Sequence, residues 1–195
     1  MVRGLVLRNR SCRRFYEDIS IDMATLRELV DLARLSASAA NLQPLKYILS
    51  CGTEKNAVIF SHLAWAAYLK DWPGPSEGER PSAYIIVLGD KEVSQSFGCD
   101  HGIAAQSILL GATEMGLGGC IVGSVRRKQL CRALEIPPHY EILIVIALGK
   151  PKEAIQVDTV GPDGDIKYWR DKEGVHHVPK RSIEEIIVGS YEGDS

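Results

Sequence analysis

The chain has 195 residues, 45% of them hydrophobic, and its 23 basic and 25 acidic residues give a net charge of −2. This length and composition fit a single globular domain with a sizeable core, and the balanced charge excludes the basic surface of a typical nucleic-acid-binding protein. No stretch resembles a signal peptide or a transmembrane helix, so we expect no membrane association. The five cysteines form no close pairs, which predicts free thiols in a reducing, cytoplasmic location.

The N-terminal segment predicts a short helix over residues 2–9, followed by a basic turn. The turn reads NRSCRRF (residues 9–15) and crowds arginines around Ser11. One interpretation is a solvated basic turn. The other is a site for a phosphate monoester, because arginine supplies charge with paired donors and serine adds a neutral donor.

A second predicted helix begins after Asp22, a residue type that caps helix N-termini, and keeps helical apolar spacing up to Ala33. It runs into small residues at 36–40, and then into the stretch 41–43 and Pro44. One interpretation is a frayed helix end that is stopped by the proline. The other is a loop whose backbone and two amide side chains approach a planar ring.

The next predicted elements are a strand over residues 47–51, a helix over 57–69 and a strand over 83–88. The segment DWPGPSEGERPS (residues 71–82) separates the last two, and its prolines and glycines predict irregular structure. Such a segment serves either as a surface connector or as a lid over a pocket.

The most informative stretch covers residues 100–123. Its first two thirds predict a helix that is apolar on nearly all sides, and such a helix is buried all round. A chain of this size can hardly enclose that helix alone, so we expect a partner subunit to cover part of it. Gly116 ends the helix, and Gly118 and Gly119 precede a β-type run. These glycines predict either a C-cap and turn or bare backbone against which a flat ligand lies.

A polar helix over residues 126–134 and an apolar strand over 142–148 follow. The tail beyond them is turn-rich and too poor in apolar residues to fold on its own, so we expect it to wrap around the partner subunit. The sequence therefore predicts one domain, residues 1–195, with residues 151–195 as a C-terminal extension.

Several classes of chemistry lack their motifs in this chain. It contains no G-x-G-x-x-G fingerprint, P-loop, C-x-x-C pair, H-E-x-x-H motif or G-x-S-x-G nucleophile elbow. The neighbouring His176 and His177 would point to opposite faces of a strand, so we predict no metal site. An enzyme without these groups is a candidate for chemistry supplied by a bound cofactor.

Four blocks of the sequence together resemble the nitroreductase family of FMN proteins. They are NRSCRRF (9–15), SASAANLQPLKYI (36–48), DHGIAAQSILLGATEMGLGGCIVGS (100–124) and VIALGKPKE (145–153), and they occur in the family's order. The resemblance implies an α+β fold with a central, mostly antiparallel sheet flanked by helices. It also implies an intertwined homodimer with one FMN at each end of the subunit interface, and a C-terminal extension that embraces the other subunit.

The resemblance also assigns the FMN-binding residues of this chain. It assigns the phosphate and ribityl contacts to Arg10, Ser11 and Arg13, and the loop along the flavin ring to Ser38, Ala39, Asn41 and Gln43. It assigns the backbone near the ring's reactive nitrogen to Leu117, Gly118 and Gly119, and the basic pair that closes the phosphate site to Lys180 and Arg181. The chain departs from the pattern at Asn9, where many members have arginine or lysine, and at Leu45, where many have tryptophan. Lys70 is one candidate for the side chain that other members aim at the flavin's pyrimidine edge.

The function implied by the resemblance is that of an FMN-dependent oxidoreductase. It would take hydride from NADH or NADPH and pass two electrons to a flat acceptor, such as a nitroaromatic, quinone or enone, by a ping-pong mechanism. Two alternatives stay open, namely a flavin- or ligand-binding protein without turnover and an enzyme that modifies the flavin itself. A fold resemblance does not identify the physiological acceptor.

Overall fold

An antiparallel sheet lies at the centre of the computed structural model, which describes residues 1–69 and 71–192. Its strands are β1 (Phe15–Tyr16), β2 (Leu45–Ser50), β3 (Ala83–Asp90), β4 (Gly118–Val122) and β5 (Tyr140–Pro151). Their order is β1-β5-β3-β2, and β4 also pairs with β5. The long β5 therefore has β3 along one edge and both β4 and β1 along the other.

Helices cover both faces of this sheet. The helices that pack on it are α2 (Met23–Arg34) and α4 (Asp100–Glu114) on one face and α3 (Thr53–Ser61) and α5 (Arg127–Ala133) on the other. The chain also contains α1 (Val2–Arg8), which contacts α4, and α6 (Ile183–Ile186), whose residues are exposed. Successive residues of a strand point to opposite faces, so Ile85 packs towards α2 and α4, whereas Tyr84 packs towards α3 and α5. The predicted α+β fold, with an antiparallel sheet between helices, is confirmed.

The predicted helix cap and the close packing of two helices fix α2 on α4. The carboxylate of Asp22 accepts a hydrogen bond from the backbone N–H of Thr25 at 2.7 Å, which satisfies one of the free donors of the first turn. Gly111 of α4 faces α2, and a Cβ atom there would collide with the Leu32 side chain. The absence of a side chain at this position therefore allows the two helices to approach closely.

One chain buries most of the circumference of α4. Ala104, Ala105 and Ile108 are almost fully buried, while Gly102 and Gln106 stay exposed. The helix is therefore less dependent on a second subunit than its composition suggests. Coverage of the exposed strip by a partner stays a prediction.

The end of α4 is a Schellman motif. Gly116 takes a φ of 72°, and its N–H donates to the carbonyl of Thr113 at 3.2 Å. The N–H of Leu117 donates to the carbonyl of Ala112 at 2.8 Å. This pair of bonds satisfies the last carbonyls of a helix and needs a residue that tolerates positive φ just after the C-cap Met115, which is the position of Gly116.

One helix lies elsewhere than the sequence predicts. The pattern of residues 57–69 predicts a helix, whereas α3 begins at Thr53 and ends at Ser61. Beyond its end, Leu63 forms an antiparallel β-bridge with Val125. This tertiary contact, which the local sequence does not reveal, holds the chain in an extended conformation and overrides its helical propensity.

The C-terminal tail forms a three-stranded sheet of its own. In it β6 (Ile155–Thr159) runs parallel to β8 (His176–Lys180), and β7 (Trp169–Arg170) pairs antiparallel with β8. The tail thus has more structure within one chain than its composition predicts. Its embrace of a partner subunit stays a prediction.

Polar contacts stabilise this tail where apolar residues are few. The His177 ring is hydrogen-bonded at 2.7 Å to Asp158 and at 3.1 Å to Asp171, and the ring of Trp169 stacks on it at a centroid distance of 4.1 Å.

None of the helices in the described part of the chain has the length and hydropathy of a membrane span.

Candidate functional site

A backbone connection joins the arginine-rich turn to the glycine strand. The N–H of Cys12 donates to the carbonyl of Gly119 at 2.9 Å, and Ser11 forms a parallel β-bridge with the same glycine. Two segments that are more than a hundred residues apart in the sequence therefore lie side by side. The NRSCRRF turn is held in place by the sheet and is not a free surface turn.

A cationic cleft of about 350 Å³ opens beside this connection. Its lining includes Arg10, Ser11, Arg13 and Lys180, together with Gln106 of α4. Among the described residues that line the cleft, Arg10, Arg13 and Lys180 are positively charged at neutral pH, and none is acidic. Such a cluster, with a serine hydroxyl among the cations, is suited to bind a phosphate or a similar oxyanion.

The guanidinium of Arg13 is held by two aromatic rings from the tail. Its Nη1 lies 3.3 Å from Nε2 of His176, and its Cζ lies 4.9 Å from the centre of the Tyr168 ring. Since arginine only donates, Nε2 of His176 accepts, and the proton of the neutral imidazole sits on Nδ1. The tail thereby orients an arginine of the N-terminal turn.

The buried carboxylate of Glu153 binds the backbone of the same turn. It accepts hydrogen bonds from the backbone N–H groups of Arg13 and Arg14 and from Nη2 of Arg170 at 2.7 Å. The Glu153 side chain has no solvent exposure. A buried charge needs such paired donors, so Glu153 couples the turn to the tail. The sequence gives no signal for this role except its place in the VIALGKPKE block.

The two adjacent histidines of β8 have opposite electrostatic environments. His176 is almost fully buried, and its burial, reinforced by the nearby Arg13 and Arg170, lowers the pKa to about 4, against the opposing effect of Glu153. His177 is hydrogen-bonded to two aspartates, which raise its pKa. His176 is therefore neutral at physiological pH, which is the state that can accept from Arg13.

The two glycines of β4 are required for packing. A Cβ atom on Gly119 would lie 2.6 Å from the Leu109 side chain and 2.7 Å from the carbonyl oxygen of Ala147. A Cβ atom on Gly118 would lie 2.7 Å from the Pro151 ring. Close packing therefore explains why both positions are glycine. The strand also borders a second cleft, of about 310 Å³, whose lining includes Arg10, Leu117 and Gly118.

The 38–43 loop is a strained segment. Its central residues form a 3₁₀ turn (Ala39–Asn41), and Ala40, Asn41 and Gln43 all take positive φ, at 48°, 55° and 50°. Such conformations are uncommon for residues other than glycine and cost about 1–3 kcal/mol each, and they cluster at functional sites. The surrounding structure must stabilise this loop.

Asp100 supplies much of that stabilisation. Its carboxylate, which is buried, accepts from the hydroxyl of Ser38 at 2.6 Å and from the N–H of Ala39 at 3.1 Å. The Ser38 hydroxyl oxygen in turn accepts from the N–H of Gln43 at 2.9 Å. Sequence reasoning missed Asp100, because an acidic residue in the first turn of a helix is common for electrostatic reasons alone.

The loop and the cationic cleft lie on opposite faces of α4 within one chain. A second cleft, of about 260 Å³, has Ser38 and Gln43 in its lining, and α4 contributes Asp100 and Ala104 to it. The cationic cleft receives Gln106 and Leu109 from α4. At about 3.6 residues per turn, these two pairs of helix positions point in roughly opposite directions. One chain therefore brings the two sets of predicted residues to separate clefts.

The remaining predicted residues have other surroundings. Arg181 forms an ion pair with Glu185 of α6 and does not line the cationic cleft. Trp72, the aromatic residue of the 71–82 segment, packs beneath the guanidinium of Arg170 at 4.5 Å. Lys70 lies outside the described residues. The thiol of Cys12 is buried, which raises its pKa to about 12 and keeps the thiol protonated at neutral pH.

One group of side chains has the spacing of metal ligands, although the sequence predicts no metal site. Asp90, Glu92 and His139 bring their ligand atoms within 4.8 Å of one another. The carboxylate of Asp90 already accepts the N–H of Glu92 at 3.0 Å, which closes the turn after β3. That hydrogen bond gives Asp90 a structural role.

Comparisons with known proteins agree with this architecture. A curated relative from Methanothermobacter thermautotrophicus, provisionally described as an NADH dehydrogenase/NAD(P)H nitroreductase, is 29% identical over 154 residues, covering 75% of this chain and 76% of the relative. An FMN-dependent nitroreductase from Clostridium difficile R20291 superimposes with a TM-score of 0.63 at 23% identity, over 78% of this chain and 88% of that one. The NADPH:FMN oxidoreductase from Vibrio harveyi, complexed with NAD⁺, superimposes with a TM-score of 0.60 at 21% identity, over 77% of this chain and 68% of that one.

The two solved structures show that the fold is shared. The sequence model of the nitroreductase family matches residues 6–150, which include the arginine-rich turn, the strained loop and the glycine strand, but not the basic pair of the tail. Because this match spans most of the chain, the protein belongs to the nitroreductase family.

Proposed function

We propose that this protein is an FMN-dependent oxidoreductase that takes hydride from NADH or NADPH and reduces a flat acceptor such as a nitroaromatic, a quinone or an enone. The observation that carries the proposal is the cationic cleft, whose described lining contains no acidic residue and which is joined by backbone hydrogen bonding to the glycine strand. The family and the names of its members, among them an FMN-dependent nitroreductase and an NADPH:FMN oxidoreductase, support the same activity.

The donor set of the cleft fits the phosphate end of FMN. A phosphate dianion needs several charge-assisted donors, and Arg10, Arg13 and Lys180 supply cations while Ser11 supplies a hydroxyl. His176 keeps Arg13 in position by accepting one of its N–H groups. Arg181, which the motif also assigns to the phosphate, would have to exchange its partner Glu185 to take part.

The backbone of Leu117, Gly118 and Gly119 would lie along the flavin ring. The bound FMN would supply the redox chemistry, namely hydride exchange between the nicotinamide and the acceptor. The chain's own task is to orient the ring and to leave one face open to flat molecules. Because donor and acceptor would use that same face, they should bind in turn and give ping-pong kinetics.

We further propose a homodimer in which each site combines two chains. Within one chain the strained loop faces the opposite side of α4 from the cationic cleft. A two-fold pairing that covers the exposed strip of α4 would bring the partner's loop, with Ser38, Ala39, Asn41 and Gln43, to the ring. Two-fold contacts of this isologous kind are the commonest in soluble oligomers, and the tail (residues 151–195) would then also contact the partner.

An absorbance spectrum of the purified protein followed by anaerobic titration with NADH and NADPH tests this function. We expect the absorbance bands of oxidised flavin, bleaching by one or both nicotinamides, and recovery of the bands when a quinone is added. In steady state, parallel double-reciprocal lines would support ping-pong turnover. A protein that binds FMN but is not bleached would indicate a binding role without turnover, and a protein with no affinity for FMN would refute the proposal.

A further inference from the structure

A separate cavity contains three polar side-chain atoms that lack hydrogen-bond partners. It has a volume of about 160 Å³ and lies between α3, the start of β3 and the chain after β1. The three atoms are Nε of Arg80, Oγ of Ser82 and the hydroxyl oxygen of Tyr84, and all three are buried without a partner in the described part of the chain. The Tyr84 side chain itself is completely buried.

Three such atoms in one cavity wall need an explanation. A buried polar group without a partner costs about 1–3 kcal/mol, and native proteins keep few of them. Tyr84 belongs to the face of the sheet that packs on α3 and α5, and Arg80 and Ser82 lie just before β3. None of the three lines the clefts of the candidate flavin site. The proposed oxidoreductase activity therefore does not account for them.

Arg80 brings a positive charge to this wall. Its guanidinium lies over the ring of Phe60 at 4.7 Å, and it forms no ion pair with any carboxylate in the described residues. Glu17 also lines the cavity, but one of its carboxylate oxygens already accepts the backbone N–H groups of Gly78 at 2.6 Å and Arg80 at 3.2 Å. These two bonds engage that oxygen with the backbone, so Glu17 and Arg80 both contribute charge to the cavity without forming an ion pair with each other.

The N-terminus of α3 adds to the positive potential. The helix begins at Thr53, which lines the cavity, and its N-cap Gly52 offers no side-chain acceptor. The first N–H groups of a helix carry a partial positive charge and favour anions. The rest of the wall is mixed, with Ala57, Phe60 and Pro81 forming an apolar part and Ser20 and Asn56 a polar part.

We propose that this cavity binds a small carboxylate. Its oxygens would accept from Arg80, Ser82 and Tyr84, and its short hydrocarbon part would lie against the apolar part of the wall. The volume suits such a ligand, since a cavity of about 150 Å³ holds a molecule of the size of benzene. The three unpartnered atoms have almost no solvent-accessible surface, so binding would require the partly exposed side chain of Arg80 to turn and admit the carboxylate.

NMR titration of the flavin-loaded protein with sodium propionate tests this assignment. We expect saturable shifts of the backbone amide signals of Thr53, Ser82 and Tyr84 with a millimolar Kd, because so small a ligand has few atoms to contribute. Propionamide, which has the same shape without the charge, should bind about tenfold more weakly. Sodium chloride at equal ionic strength controls for salt effects.

Matched substitutions identify the groups responsible. Arg80→Gln and Tyr84→Phe should each weaken propionate binding about tenfold, whereas Arg132→Gln and Tyr16→Phe, on exposed residues, should leave it unchanged. Ser82→Ala provides a further variant if Tyr84→Phe is poorly folded. Absence of saturable shifts with propionate, or equal affinity in the Arg80→Gln variant, would overturn the proposal. The amides that report the titration belong to residues that line none of the flavin clefts, so its outcome does not depend on the proposed oxidoreductase function.

Discussion

The hydroxyl of Ser38 donates a 2.6 Å hydrogen bond to the buried carboxylate of Asp100, across the contact between the strained loop and the first turn of α4. The same carboxylate accepts the N–H of Ala39. Three residues of the loop hold positive φ, and this carboxylate opposes their return to an ordinary conformation. Asp100 thus determines the shape of a loop that it does not belong to.

We therefore expect Asp100→Ala to destabilise both the fold and the loop. Loss of two hydrogen bonds to a charged group should lower the free energy of unfolding by about 2–3 kcal/mol, as measured by urea denaturation. FMN affinity should fall as well, if the loop lies along the ring. Asp100→Asn keeps one acceptor and should have a smaller effect, and Asp18→Ala, at an exposed site, is the control. Unchanged stability in Asp100→Ala would show that the loop is held by other contacts.

The pKa values of the two neighbouring histidines of β8 should be shifted in opposite directions from the ordinary value of 6.5. Between pH 6.5 and about 4, His176 is protonated in the unfolded chain but stays neutral in the folded state. Its effect is that stability falls as the pH drops through this window. His177 holds its proton in the folded state, so its contribution is complete below pH 6.5 and is lost as the pH rises through its raised pKa.

NMR titration of the imidazole C2 protons can check this difference, with His176→Gln and His177→Gln for assignment. His176→Gln should also flatten the dependence of stability on pH between 6.5 and 4, because the group that refuses the proton is gone. Since protonation of His176 removes the acceptor for Arg13, FMN should dissociate more readily at the acid end of this window. A His176 resonance that titrates above pH 6.5 would contradict the burial argument.

Glu79 and Arg14 form a second pH-dependent contact, with two hydrogen bonds of 2.6 and 2.5 Å between guanidinium and carboxylate. Hydrogen bonding to Arg14, with a further contribution from Lys152, lowers the pKa of Glu79 from 4.5 to about 2. Its stabilisation is therefore complete above pH 4.5 and is lost as the pH falls towards 2. Glu79→Gln should cost about 2 kcal/mol at pH 7.

Chemical denaturation at pH 7 and pH 3 measures this contribution, with Glu77→Gln at a neighbouring exposed position as the control. The difference between wild type and Glu79→Gln should shrink at the lower pH. A difference that does not depend on pH would mean that the glutamate acts through packing and not through its charge.

Gly119 should tolerate no side chain, because a Cβ atom there would meet the carbonyl oxygen of Ala147, a backbone atom that cannot move aside. Gly119→Ala should lower the free energy of unfolding by about 1–3 kcal/mol through overpacking. Gly123→Ala, one residue beyond β4, meets nothing within 4 Å and should change stability by less than about 0.5 kcal/mol. Equal stability of the two variants would show that β4 can shift.

The sequence predicted most elements of the fold because long apolar runs and helical spacing dominate β3, β5, α2 and α4. It failed at α3, where the bridge between Leu63 and Val125 is tertiary and leaves no local signal. It also undervalued the tail, in which hydrogen bonds to His177 replace an apolar core.

For the site, the motif residues Arg10, Ser11 and Arg13 lie with Lys180 in one cleft, and their binding of FMN stays a prediction. Asp100, Glu153 and His176 were not predicted, because each acts through a partner that is distant in sequence. The proposed sharing of a site between two copies of the chain is open to an experiment on mixed dimers.

The last prediction concerns this sharing of the site between subunits. One variant disables the cationic cleft by Arg10→Ala together with Arg13→Ala. The other blocks the loop by Ala39→Trp, at an exposed position of ordinary φ where bulk adds no backbone strain. Each homodimer should be inactive in NAD(P)H oxidation, since both of its sites carry one defect.

The heterodimer of these two variants, isolated with two different affinity tags, distinguishes the arrangements. If each site takes its cationic cleft from one subunit and its loop from the other, one site carries both defects and the other carries neither. Two-fold symmetry then gives about half the wild-type activity and FMN content. If cleft and loop of one site came from the same subunit, every site would carry a defect. Recovery would then be absent, and the assignment of the loop to the partner subunit would be wrong.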